Sequence, residues 1–72
     1  MDAIDQICRR IINVLEAAED ACGQAIEAQL PALPDDKRLQ EIQTLGALLD
    51  KARSHCDKAE TAMLKYIRSQ SE

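Results

Sequence analysis

The stretch Leu30-Pro31-Ala32-Leu33-Pro34-Asp35-Asp36 decides how the chain folds. Pro31 disfavours helical backbone at the residue before it, so a helix arriving from the N-terminal side must stop near Leu30. Asp35 or Asp36 can cap a new helix, because a carboxylate accepts from the orphan N–H groups of a first turn. The segment between is short, stiff and partly apolar, unlike a free glycine-rich linker. Leu30 and Leu33 are expected to fold back and plug the end. So short a connector forces the flanking helices antiparallel.

Upstream, residues 3–29 read as one helix. Ile4, Cys8, Ile11, Leu15, Ala18, Cys22 and Ala25 follow one another at alternating steps of four and three, a heptad seam. Ile7, Val14, Ala21 and Ala28 form a flanking apolar row, and Gln6, Asn13, Asp20 and Glu27 form a wholly polar one. Asp2 is placed to cap the start, and Asp5 suits the positive end of the helix dipole.

Downstream, residues 36–68 read as a second helix. Its seam is Ile42, Leu45, Leu49, Ala52, Cys56, Ala59, Met63 and Tyr66, widened by Leu39, Leu48, Ala62 and Ile67. Lys65 and Arg68 suit its last turn, and residues 69–72 read as a frayed tail. The helices should be about 40 and 50 Å long. Leu15 is expected opposite Leu49, and Cys8 opposite Cys56. The fold class is therefore all-α: one helical-hairpin domain with a proline-containing turn at 30–35, expected to pair into a four-helix bundle.

Composition supports this reading. The 72 residues are rich in aliphatic and long-chain helix formers, with Tyr66 the one aromatic residue. Net charge is −4 and uneven: residues 1–30 carry six acids and two bases, residues 35–72 seven of each. Bulk attraction to nucleic acid or anionic lipid is not suggested. No run is apolar enough to span a membrane. Asp2 and Asp5 stand where a signal peptide would be basic. Three cysteines at irregular spacing suit a cytoplasmic chain with reduced thiols.

Catalysis has no visible apparatus. His55 and Cys56 are adjacent, and neighbouring helix positions point about 100° apart. No zinc-type ligand spacing occurs, and no phosphate-binding glycine loop. Cys8, Cys22 and Cys56 are expected in the core as small hydrophobes, with a Cys8–Cys56 bridge geometrically conceivable. No enzyme activity, cofactor, metal or small-molecule substrate is expected.

Both helices carry more apolar surface than one mutual contact can cover. Ile7, Ile12, Val14 and Ile26 on the first, with Leu39, Leu48 and Ile67 on the second, are expected to remain open as a partner or dimer interface. Glu16, Glu19, Asp20 and Glu27 form a candidate acidic docking face for a basic partner. The expected role is a protein-binding adaptor, chaperone or inhibitor, acting on a partner protein, a second copy, or both. Two alternatives stand beside it: a regulatory nucleic-acid binder laid out like the dimeric Rop-type hairpins, with Arg9-Arg10 and Lys37-Arg38 as its basic doublets, or a structural assembly subunit.

From Pro34-Asp35-Asp36 through Leu39, Ile42, Leu45 and Leu48-Leu49, the pattern resembles the turn and second helix of small type III secretion proteins, the needle subunits and their helical-hairpin co-chaperones. The resemblance covers roughly half of the chain. Lys37 stands where the needle-type turn carries a second proline. It implies a chain that caps a partner's hydrophobic surface before assembly.

Overall fold

The computed structural model describes residues 2–71. It is an all-α hairpin of two long helices, α1 (Ala3–Ala28) and α2 (Asp35–Ser71), packed against each other along their length. The rod measures 58 × 15 × 13 Å, with a radius of gyration of 16.8 Å. A compact domain of this length would have a radius near 11 Å. The hairpin is therefore elongated, and each helix has only one neighbour.

Each helix starts for a local reason. Asp2 is extended, and its Oδ1 accepts from the Ile4 N–H at 3.2 Å, which satisfies one orphan donor of α1. The second helix begins at Asp35, one residue earlier than expected. The Pro34 carbonyl accepts from the Arg38 N–H at 2.9 Å, so Asp35 and Asp36 lie inside the first turn, where their charge suits the dipole. The C-terminal end also differs from the expected frayed tail: α2 runs on to Ser71. Ser69 and Ser71 donate from their hydroxyls to the carbonyls of Tyr66 and Ile67.

The connector is tied by Arg38, a residue that the sequence presents only as half of a basic doublet. The Arg38 guanidinium donates to the carbonyls of Ala28 and Leu30 at 3.0 Å each, and to that of Leu33 at 3.5 Å. The last turn of α1 contains no basic residue, so α2 supplies the cation that satisfies those carbonyls and opposes the α1 dipole. Leu33 is half-buried, but Leu30 remains 46% exposed. The expected two-leucine plug is thus a leucine and an arginine clamp. Nearby, Gln24 Nε2 donates to the Glu41 carbonyl at 3.1 Å and to its carboxylate, fixing the antiparallel register.

The contact between the helices is made mostly of small side chains. Ile7, Ala17, Ala21 and Ala59 are the buried hydrophobic residues, and no large side chain is fully buried among the described residues. The α1 contact row is Ile7, Val14 and Ala21, flanked by Ala17 and Gln24, in place of the expected seam through Cys8, Leu15 and Cys22. Leu15 and Leu49, expected to face each other, are 57% and 53% exposed. Cys8, Cys22 and Cys56 are exposed free thiols, which corrects their expected place in the core.

Replacing Arg38 with Ala is expected to lower unfolding free energy by roughly 1–3 kcal/mol, the usual effect of losing a charged donor to partly buried acceptors. Arg38→Lys should recover only part of this, since an ammonium cannot span several carbonyls with a planar fork. Urea unfolding of the three proteins measures it. A Cβ added at Gly23 would meet nothing within 4 Å. Gly23→Ala should therefore raise stability by about 1 kcal/mol through helix propensity alone, and an unchanged midpoint would contradict that.

Candidate interaction surface

The two long sides of the hairpin differ in chemistry. One side holds a groove of about 400 Å³ lined by Arg10 of α1 and by Ser54, Asp57, Lys58, Thr61, Ala62 and Lys65 of α2. A second groove on that side is lined by Asn13, Glu16, Ala17 and Asp20 with Lys51 and His55. The polar row of α1 thus lies beside the lysine row of α2, which is spaced by sevens at 51, 58 and 65. Among the described residues no charged side chain is buried, and the Arg53–Asp57 ion pair, 3.1 Å long, is exposed and local to α2.

The opposite side follows from helix geometry. On α1, Ile4, Ile11, Ala18 and Ala25 flank the contact row on the side away from the polar row. On α2, Ile42, Leu49, Cys56 and Met63 flank the contact row away from the lysines. Since the grooves bring the polar flanks together, the apolar flanks share the other side. Exposure agrees: Ile11 is 54%, Ile42 52% and Leu49 53% exposed. The three cysteines lie on this side or at its edge.

Exposure alternates with the heptad along α2 and in the first half of α1, whereas Ala18 and Ala25 are half-buried. On α2, Ile42, Leu49, Cys56 and Met63 are exposed, while Leu45, Ala52, Ala59 and Tyr66 between them are half-buried or buried. On α1, Ile4 and Ile11 are exposed and Ile7 and Val14 are not. A seam of period 3.5 points between two directions. The hairpin covers one of those directions and leaves the other in water.

The expected interface residues separate into two groups. Ile12, Ile26, Leu39 and Ile67 are exposed, between 48% and 65%. Ile7 is buried within the hairpin at 7%, and Val14 and Leu48 are half-buried there. Ile7 is therefore a packing residue of the single chain, which corrects its place as an open contact. Its position in the flanking row, facing Ala62 and Tyr66 across a shallow groove, puts it where α2 approaches. The open surface instead centres on Ile4, Ile11, Leu15, Ile42, Leu49 and Met63, residues that the sequence reading had spent on the internal seam.

Glu16, Glu19, Asp20 and Glu27 are all exposed, but they do not form one face. Glu16 and Asp20 line the second polar groove with Lys51. Glu19 belongs to the row of Asp5, Ile12 and Ile26, on the outer edge of the apolar side. Glu27 lies in the row of Asp20, near the connector. Among the described residues, no group of three His, Cys, Asp or Glu is placed to hold a metal ion, and no helix is long and apolar enough to cross a membrane.

Comparison with family models, curated proteins and solved structures gave no match.

Ile7→Ala is expected to destabilise the chain by about 2–5 kcal/mol, as truncation of a packed aliphatic side chain does. Ile12→Gln should change stability by no more than about 0.5 kcal/mol. Equal effects in thermal unfolding would mean that the contact row has been placed on the wrong side of α1.

Proposed function

We propose that the chain is a non-catalytic protein–protein interaction module, an adaptor, chaperone or inhibitor that works by presenting its apolar side. The observation that carries this reading is the half-open seam. Ile4, Ile11, Leu15, Ile42, Leu49 and Met63 hold much of their surface in water. Covering what remains would contribute on the order of 1 kcal/mol for each side chain. Summed over the face, this rivals the whole stability of a small domain, about 5–15 kcal/mol. A contiguous apolar face of that kind marks an interaction site. The free thiols fit the same reading as small apolar members of the face.

A second reading has one observation in its favour. Lys51, Lys58 and Lys65 form a row beside Arg10 on the polar side, and a row of cations can track a phosphate backbone. Glu16, Asp20 and Asp57 in the same grooves weaken its field, so the apolar side remains the stronger candidate.

Substitutions on opposite sides separate the two. Leu49→Asp should abolish association, with a second copy or with a partner recovered from the native host, and Lys58→Glu should leave it intact. Loss of association with Lys58→Glu alone, accompanied by salt-sensitive binding of an RNA hairpin to the wild-type chain, would move the function to the polar side.

A further inference from the structure

We infer that the occupant of the apolar side is a second copy of this chain, laid across it with the connectors at opposite ends to complete a four-helix bundle. The inference rests on the interaction reading above and names its partner.

Three observations support a second copy. The first is the alternating exposure. A helix in a four-helix bundle points its seam at the bundle axis, between its two neighbours. In α2 the half of the seam at Leu45, Ala52, Ala59 and Tyr66 is taken by α1, while the half at Ile42, Leu49, Cys56 and Met63 is open. The missing neighbour is a second layer of two helices. The second is area. The chain exposes 5543 Å², whereas a folded monomer of its 8.0 kDa exposes about 4,450 Å². The excess is about 1,100 Å². A standard interface takes roughly 800 Å² from each partner. The third is shape. A face 58 Å long and 15 Å wide is matched along its whole length by another copy of itself, and a two-fold axis closes the assembly with no face left over.

Side-chain volume then selects the arrangement. The Gln24–Glu41 hydrogen bond and the pairing of Ile7 with Ala62 and Tyr66 fix the levels along the rod. Near the free ends the seam is Ile4 and Ile7 on α1 with Met63 and Tyr66 on α2, all large. Toward the connector α1 offers Ala18, Ala21, Ala25 and Ala28. If both connectors lay at one end, the large free-end residues Ile4 and Met63 of both copies would crowd together while the alanines of both α1 helices gathered at the other end. With connectors at opposite ends, the large free-end residues of one α1 meet the connector-end alanines of the partner copy's α1, while Ile42, Leu45 and Leu49 of α2 meet the partner copy's Cys56 and Ala59 region. The first arrangement has one point in its favour, since Glu19 would approach the partner copy's Arg53. That arginine already pairs with Asp57 of its own helix. An exposed ion pair is a small effect beside the packing of large side chains against small ones.

The arrangement makes a prediction about thiols. Cys8 and Cys22 lie fourteen positions apart on one helix, about 21 Å, too far for a short bismaleimide within one chain. In the proposed dimer α1 runs antiparallel to the partner copy's α1, and Cys8 lies beside that copy's Cys22. Light scattering of the purified wild-type chain at micromolar concentration should give twice the mass of one chain. Treatment with a short bismaleimide should give a Cys8–Cys22 linked peptide, lost when Leu49→Asp makes the chain monomeric. A monomer overturns the proposal, as does a dimer without the Cys8–Cys22 link. A monomer that binds an apolar dye, with binding abolished by Leu49→Asp, would still keep the wider interaction reading. A monomer without dye binding would end both.

Discussion

The governing constraint is that two helices can hide only one stripe each from water, while both helices here carry apolar residues on a flank beyond that stripe. The hairpin contact consumes Ile7, Val14, Ala17 and Ala21 on α1 and Leu45, Ala52 and Ala59 on α2. Most of these are alanines, whose small side chains allow close approach but remove little apolar area. The larger aliphatic residues stand on the other flank. The hairpin is divided accordingly into an apolar side, a polar side, and a narrow internal contact between them.

The ends of the hairpin are fixed by polar interactions that do not depend on the core. Asp2 caps α1, Arg38 closes its other end from the neighbouring helix, and Gln24 ties α1 to Glu41. These interactions set direction and register. Helix pairs with small contacts gain little selectivity from packing alone, so the Arg38 clamp and the Gln24–Glu41 hydrogen bond together hold α1 and α2 in one alignment. That alignment gathers the apolar flanks of both helices on the same side, and without it no continuous face would form.

Much of this was legible in the sequence. Pro31, Pro34 and the aspartates marked the turn, the periodicity marked two helices, and the excess of apolar positions marked an apolar surface left open by the hairpin. What was misread is the face by which α1 meets α2. Two adjacent apolar rows, Ile4–Ile11 and Ile7–Val14, both satisfy a heptad, and periodicity cannot rank them. The choice is made by what lies beyond each row: Ala17 and Gln24 permit close approach on one side, and Cys8, Leu15 and Cys22 stand off on the other. Arg38 was read as half of a basic doublet, because nothing in a doublet shows that three carbonyls lie within its reach. The exposed thiols follow from the same exchange of rows.

The central claim is that the folded hairpin depends on covering its open flank. The most direct test is the dependence of the urea unfolding midpoint on protein concentration across a hundredfold range. Binding that favours only the folded state raises the midpoint by mass action. The account predicts a midpoint that climbs steadily with concentration in the wild-type chain. A high midpoint that stays constant over the whole range would show that one copy is sufficient to itself, and would contradict the account.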